Sequence, residues 1–291
     1  MTSNSAASSS LGGRTAADRS EPLTKQESWT HASEGYQQRI GACTVHGTAR
    51  LVEIINELSP FTEDSYVLDN GAGTGSILIK VKEKSPATKI LATDISPGML
   101  ERVDALKLPN VSTQVEDAST LAGLPDDTFT HVLTSFMIQF TPDPHVAVKA
   151  MHRVLAPNQV VGIAIWGTAI DHQIIHEKAC ARLNPDYVAP RPETVKSWRS
   201  EPDHRDAMAK AGFKDVGTEA VRMPFYCRDA DHFLEYWFDS KNPVPKMFHD
   251  DWTAHGGDLA ALRAECGKIV QEEYDGGKDI FMGATLGWGR K

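Results

Sequence analysis

A short apolar run that ends in an acid and leads into three closely spaced glycines constrains this chain more than any other feature. The run extends from Val67 to Asp69, and the glycines are Gly71, Gly73 and Gly75. Glycine lets the backbone turn sharply and lets a ligand approach without a Cβ in the way. A helical pattern follows the glycines, so the segment predicts a strand, a glycine turn and a helix, with a nucleotide-like cofactor held at the turn.

The same alternation of strand and helix continues along the chain. Apolar runs predict strands over residues 65–69, 89–94, 111–116, 128–136, 160–166, 213–222 and 279–288. The helical patterns between most of them indicate crossover connections, which produce an α/β fold with a mostly parallel sheet and helices on both faces. Ligands bind such sheets at the carboxyl ends of the strands, so we expect the functional residues near positions 69–75, 94, 117 and 135.

Other segments depart from this alternation. Residues 1–24 are rich in Ser, Ala and Gly and predict a disordered tail. Residues from about 25 to 60 carry an apolar stripe and predict an N-terminal helical cap. Residues from about 226 to 276 are helical in pattern and rich in aromatic side chains, and they predict a helical cap inserted next to the substrate. Between residues 168 and 200 the pattern weakens, and we expect a connection interrupted by prolines.

The composition narrows the possible partners. The net charge of -9 disfavours binding to nucleic acid, which needs clustered Lys and Arg, and it favours a neutral or cationic small molecule. The longest apolar run is shorter than the roughly 20 residues of a membrane helix, so we expect no membrane partner. The start of the chain lacks the features of a secretory signal, and the four cysteines form no C-x-x-C pair. We therefore expect a cytoplasmic protein without a metal site; the oligomeric state is left open.

The spacing of the glycines indicates which cofactor is bound. Position 76 is Ser, so the pattern is G-x-G-x-G, whereas the dinucleotide fingerprint has its third glycine one residue later. At these residues the sequence resembles the class I S-adenosylmethionine-dependent methyltransferases, and it is closest to the small-molecule branch with quinone-biosynthesis and fungal natural-product enzymes. The resemblance covers roughly residues 51–221 together with a typical last strand.

The resemblance implies a fold and an activity. The fold is a Rossmann-like, seven-stranded sheet that makes residues 25–291 one methyltransferase domain with its two helical caps. The cofactor is S-adenosylmethionine and its product is S-adenosylhomocysteine. The reaction is methyl transfer to an O, N, S or C atom of a small molecule, of the kind found in secondary metabolism.

Acids and small residues at three strand ends are the cofactor candidates. The resemblance implies that Asp69 orients the amino group of the cofactor's methionine part, and that the backbone of Gly71, Ala72 and Gly73 lies against the cofactor. Asp94 lies 23 residues after Gly71, close to the separation of about 20 expected for an acid that takes the ribose hydroxyls.

The adenine contacts follow from the second and third motifs of the family. Ile95 and Met99, from the segment that begins with Asp94, are the implied apolar walls for adenine. Asp117 and Ala118 follow the third strand, and the resemblance implies that they contact the adenine amino group and a ring nitrogen.

The end of the fourth strand is where cofactor and substrate are expected to meet. Ser135 is expected beside the methyl donor, and Phe136, Gln139 and Phe140 beside the substrate. We add Tyr36 from the N-terminal cap and Trp237 from the aromatic stripe of the inserted cap as substrate contacts. On base rates, however, the stripe of Phe233, Tyr236 and Trp237 favours interpretation as the packing face of a helix.

Methyl transfer is a displacement that needs an in-line nucleophile and exclusion of water, so proximity alone is one possible mechanism. If the acceptor is a hydroxyl or a protonated amine, a histidine base helps. His145 is the first candidate and His46 the second, although His145 also fits an exposed position in the first turn of a surface helix. His172 and His176 are expected to be solvated, because Gln173 replaces the glutamate of a zinc-binding H-E-x-x-H motif.

Two other functions remain open at this stage. One is a nicotinamide-dependent oxidoreductase, which the glycine spacing disfavours. The other is a methyltransferase-like protein that binds the cofactor without transferring the methyl group and acts as a regulator, a scaffold or a catalyst of another rearrangement.

Overall fold

A computed structural model describes residues 41–189, 198–240 and 242–291. The expected disordered tail, Tyr36 and the first part of the expected N-terminal cap lie outside these residues. Within them, no helix is both long enough and apolar enough to cross a membrane.

Seven strands form one sheet. The strands are β1 (Tyr66–Asn70), β2 (Lys89–Asp94), β3 (Val111–Val115), β4 (Phe129–Ser135), β5 (Leu155–Ile170), β6 (Lys214–Pro224) and β7 (Phe281–Arg290). Their order across the sheet is β3-β2-β1-β4-β5-β7-β6. The pairs from β3 to β5 are parallel, and β7 runs antiparallel to both β5 and β6. The expected seven-stranded, mostly parallel sheet is confirmed.

Helices connect and cover the strands. They are α1 (Ala42–Leu58), α2 (Ser76–Lys84), α3 (Pro97–Ala105), α4 (Pro144–Val154), α5 (Asp171–Leu183), α6 (Glu201–Lys210), α7 (Ala230–Asp239), α8 (Pro243–Ala254) and α9 (Leu259–Glu273). Local chemistry sets where several of them begin. At α3, the Ser96 side chain accepts a hydrogen bond from the Met99 amide and Pro97 occupies the first position. Asp143 caps α4 in the same way.

Two buried clusters cover the faces of the sheet. Val67 belongs to one cluster and the next residue, Leu68, to the other, because successive side chains of a strand point to opposite faces. The first cluster includes Leu51 and Ile55 of α1, so the apolar stripe predicted there packs on the sheet. The second cluster includes Met151 of α4. Because the helices cover both faces, the carboxyl edge of the sheet is where a ligand can enter.

The connection expected between residues 168 and 200 contains a helix instead. β5 continues to Ile170, and α5 follows directly. The buried face of α5 includes His172, Ile175 and His176, a spacing typical of a packed helix. The stripe was missed because two of its members are histidines, which count as polar in a sequence pattern.

Three helices, α7 to α9, lie in the segment expected to form the inserted cap. Phe233, Tyr236 and Trp237 of α7 are all buried and belong to the first cluster. This stripe is therefore a packing face. Helix α9 contacts both α7, which carries the stripe, and α5.

Candidate active site

A cleft of about 1010 Å³, including its open mouth, lies at the carboxyl edge of the sheet. Its walls come from the glycine loop after β1, the segments after β2, β3 and β4, and one face of α1. β1 pairs directly with both β2 and β4, so the loops after these three strands necessarily meet at one place.

The glycine loop forms the floor of the cleft. The amides of Gly71 and Ala72 both donate to the Thr93 carbonyl at 2.8 Å, which ties the loop to β2. Gly71 has φ +72°, and a Cβ there would lie 2.4 Å from Met137 Cγ. Gly73 has φ +54°, and a Cβ there would meet nothing within 4 Å, so this residue leaves its side of the cleft free for a ligand.

Asp69 lies beneath this loop and is 1% exposed. Its Oδ2 accepts a hydrogen bond from the Leu78 amide at 3.3 Å, in the first turn of α2. Its Oδ1 is buried and has no hydrogen-bond partner among the described residues. Burial, opposed by the hydrogen bond from the Leu78 amide and assisted by the nearby Asp94, raises the pKa of this carboxyl to about 7. Such a group is suited to a cationic ligand that supplies both a donor and a positive charge.

Asp94 connects two loops. Its Oδ2 accepts from the Gly73 amide and its Oδ1 from the Ser96 amide, both at 2.9 Å. Burial raises its pKa, while the hydrogen bonds from the backbone amides lower it. Each carboxylate oxygen retains a lone pair, so the side chain can still accept hydrogen bonds from a ligand diol.

The far end of the cleft is more apolar and more exposed. Met99 is buried, whereas Ile95 is 38% exposed. Asp117 is exposed, with its Oδ1 accepting from the Ser119 amide at 2.8 Å. Ala118 is buried beside it. These residues suit a flat ring with one polar edge.

The near end of the cleft lies between α1 and the end of β4. Thr48 Oγ1 and Ser135 Oγ are 2.7 Å apart, and Thr48 Oγ1 also donates to the Thr44 carbonyl at 3.0 Å. Phe136, directly after β4, is buried with φ +54°. Its ring lies 4.7 Å from that of Trp166, centroid to centroid. A bulky residue in the left-handed region is strained, and such strain is concentrated at functional sites.

The cleft brings together most of the residues singled out in the sequence. Those that line it are Asp69, Gly71, Ala72, Gly73, Asp94, Ile95, Met99, Asp117, Ala118, Ser135, Phe136 and Phe140. Sequence reasoning missed other lining residues, namely Thr44, Thr48, Thr74, Ser76, Ile77, Ser119, Met137, Thr141 and Pro142. The available signal for the first two was their i, i+4 spacing on α1, which places both on one helix face.

Three candidates lie elsewhere. His145 is exposed on the first turn of α4 and packs against Trp198 at 5.0 Å between ring centroids, outside the cleft lining. Gln139 is 3% exposed, and its Oε1 accepts from the Trp166 amide at 2.9 Å, which holds the 3₁₀ turn after β4 against β5. Trp237 is fully buried, and its Nε1 donates to His176 Nδ1 at 3.2 Å. Their contacts are structural. Tyr36 lies outside the described residues.

The prediction that His172 and His176 are solvated is wrong. They are 4% and 0% exposed and contact the aromatic rings of α7 and α8. Burial lowers the pKa of each imidazole to about 3, so both are neutral at pH 7. In the described part of the chain, no three His, Cys, Asp or Glu side chains are grouped to hold a metal ion.

The sheet order and the acids at its edge resemble those of the class I S-adenosylmethionine-dependent methyltransferases. A model of the methyltransferase domain matches residues 67–158, from β1 into β5.

The chain is also similar to known methyltransferases. The chain is 22% identical over 226 residues to methyltransferase ucsB of an Acremonium species, which covers 70% of this chain and 76% of that protein. It is 28% identical over 169 residues to methyltransferase tpcH of Aspergillus fumigatus, which covers 53% of this chain and 59% of that protein. The fold is similar to that of the YcgJ protein of Bacillus subtilis, with a TM-score of 0.54, 15% identity and coverage of 83% and 98%.

Proposed function

We propose that this chain transfers a methyl group from S-adenosylmethionine to a small-molecule acceptor, in secondary metabolism. The observation that carries the proposal is the buried, unpartnered Oδ1 of Asp69 beside a glycine floor that no Cβ obstructs. The cofactor has an ammonium group at one end and an adenosine at the other, and the cleft offers Asp69 to the first and Asp94 and Asp117 to the second.

The cofactor residues have separable tasks in this proposal. Asp69 binds the ammonium group, because a buried carboxylate with a raised pKa is most stabilised by a positive donor. Asp94 accepts from the ribose hydroxyls while its backbone hydrogen bonds keep it in place. Ile95 and Met99 enclose the adenine ring, and Asp117 accepts from its amino group.

The chemistry needs little from the protein beyond positioning. Bound S-adenosylmethionine supplies a methyl group already activated by its sulfonium sulfur. The chain holds the acceptor in line, excludes water and keeps the two reactants close. Among the described residues that line the cleft there is no histidine, lysine or arginine. The proposed mechanism therefore relies on proximity, and it assigns no proton transfer to His145.

Calorimetric titration tests the cofactor. We expect S-adenosylhomocysteine to bind in the micromolar range and NAD not to bind. Asp94→Ala should reduce the affinity for S-adenosylhomocysteine at least about tenfold, because a charge-assisted contact is worth about 1.5–3 kcal/mol. Asp94→Asn, which keeps one carbonyl acceptor, should lose less affinity than Asp94→Ala. Glu101→Gln, an exposed change on α3, is the matched control. Tight NAD binding would refute the proposal.

Incubation with methyl-labelled cofactor tests the transfer itself. A panel of candidate small metabolites should yield a labelled product together with S-adenosylhomocysteine. Cofactor binding without any labelled product across the panel would favour the alternative of a protein that binds the cofactor without transferring its methyl group.

A further inference from the structure

We propose that the near end of the cleft selects an uncharged, largely apolar acceptor that presents a hydroxyl group to Ser135 Oγ. This inference rests on the proposed function, which assigns the rest of the cleft to the cofactor. Three independent features of the near end support it: the direction of a hydroxyl chain, the shape of an aromatic wall and the charge of the lining.

The hydroxyl chain runs from β4 into α1. Each hydroxyl has one proton to donate, and the Thr44 carbonyl can only accept. Thr48 Oγ1 has two polar contacts, and only one arrangement of the protons turns both into hydrogen bonds. In it, Thr48 donates to the Thr44 carbonyl at 3.0 Å, and Ser135 donates to Thr48 at 2.7 Å. The remaining lone pairs of Ser135 then face the cleft that this residue lines.

This direction determines what Ser135 can bind. Its own proton is engaged with Thr48, so it offers the cleft an acceptor and no donor. A ligand O–H group satisfies that acceptor, whereas a methyl ether or a carboxylate has no hydrogen to give. Because Thr48 is fully buried, bulk water cannot replace Ser135 as the donor to its hydroxyl, which favours this direction.

The aromatic wall beside Ser135 is held in place from behind. The Phe136 amide donates to the Ala164 carbonyl at 2.7 Å, which fixes the left-handed turn that aims the ring. Gly47 of α1 lies against that ring: a Cβ there would lie 2.9 Å from Phe136 Cζ and 2.8 Å from Met223 Sδ. The ring therefore has no room to move away from the cleft, and an apolar acceptor meets a rigid surface.

The charge of the lining disfavours an anion. The described lining contains three carboxylates, those of Asp69, Asp94 and Asp117, and no cationic side chain. The cofactor carries a single net positive charge, so the loaded site remains negative on balance. A carboxylate acceptor would lose its hydration there, and no side chain of the described lining would supply a counter-charge.

Three related probes test this selection on protein saturated with S-adenosylhomocysteine at pH 7: 2-naphthol, 2-methoxynaphthalene and 2-naphthoate. Calorimetric titration should show 2-naphthol binding about fivefold more tightly than its methyl ether, as expected for one hydrogen bond. The naphthoate should bind at least about tenfold more weakly than the naphthol. Failure of 2-naphthol to bind, or equal binding of the naphthoate, would overturn the inference.

Variants locate the effect. Ser135→Ala should remove the preference for naphthol over its ether, and Thr48→Val should weaken it, whereas Thr48→Ser should retain it. Gly47→Ala should push the Phe136 ring into the cleft and weaken the binding of all three probes. Ser112→Ala, at a strand serine outside the cleft, is the matched control.

The affinity of each variant for the cofactor, measured separately, distinguishes a failure of the proposed function from a failure of the acceptor inference. We expect S-adenosylhomocysteine to bind every variant within about twofold of the unaltered protein. If the unaltered protein does not bind it, the proposed function fails. If Ser135→Ala weakens the binding of S-adenosylhomocysteine as much as the binding of 2-naphthol, Ser135 contacts the cofactor. In that case only the acceptor inference is overturned.

Discussion

At the scale of single residues, the binding role proposed for Asp69 conflicts with its contribution to stability. Its carboxyl is buried, one oxygen has no partner in the described chain, and burial raises its pKa to about 7. The ionised form is therefore less stable in the folded protein than in the unfolded chain. Because the folded pKa lies above the unfolded one, this group lowers stability progressively as the pH rises from about 4 to 7.

Replacement of Asp69 by Asn should separate the two roles. At pH 8 and without cofactor, Asp69→Asn should raise the free energy of unfolding by on the order of 2 kcal/mol, since the amide oxygen can still accept from the Leu78 amide. The same change should lower the affinity for S-adenosylhomocysteine at least about tenfold, because the ammonium group of this ligand loses its counter-charge. Thermal denaturation and calorimetric titration measure the two effects.

Asp117→Asn is the control for this prediction, since Asp117 lines the same cleft but is exposed. It should leave stability nearly unchanged. A loss of stability in Asp69→Asn at pH 8 would show that the carboxylate is not under strain.

At the scale of elements, histidines act as core residues where α5 meets α7 and α8. His176 accepts from Trp237 Nε1, and His249 of α8 lies parallel to the Phe238 ring, with centroids 4.5 Å apart. Burial lowers the pKa of His172 and His176 to about 3 and that of His249 to about 4. The unfolded chain takes up these protons first, so stability is complete above about pH 6.5 and falls as the pH drops below it.

His249→Phe should reduce this acid sensitivity. Phenylalanine keeps the ring contact with Phe238 and has no site for a proton, so the melting temperature should fall less between pH 7 and pH 5 than in the unaltered protein. At pH 7 the cost should be small, because His249 Nε2 has no hydrogen-bond partner in the described structure. Thermal scans across this range measure the difference.

His255→Gln, at an exposed histidine on the C-terminal side of α8, is the control and should leave the slope against pH unchanged. Equal slopes for His249→Phe and the unaltered protein would mean that the buried ring is not protonated on unfolding in this range.

At the scale of the whole molecule, the cleft couples ligand binding to stability. It joins the segments after four strands with α1, so a ligand there holds together parts that are distant in sequence. At one hundred times its dissociation constant, S-adenosylhomocysteine should add about 2.7 kcal/mol to the free energy of unfolding. For a protein of this size that is a rise of roughly 5–10 °C in the melting temperature.

Differential scanning fluorimetry measures this shift, which should be absent with NAD and strongly reduced in Asp94→Ala. A shift of the same size with NAD would contradict the proposed cofactor.

Much of this protein follows from local pattern. The strand runs, the glycine turn and the acids at the strand ends are set by neighbours in sequence, because periodicity and backbone freedom act over a few residues. The parallel sheet then brings Asp69, Asp94 and Asp117 to one edge, so their meeting in one cleft was predictable before its geometry was known.

Only the tertiary structure decided which side chains meet across long separations. It placed Thr48 of α1 against Ser135 of β4, turned Phe136 onto Gly47, and left His145 on the surface with Trp198. It also buried His172 and His176, whose polarity in the sequence predicted solvent exposure. The physical reason is that burial and packing depend on neighbours that the chain supplies from far away, whereas strand, turn and helix patterns depend on neighbours a few positions apart.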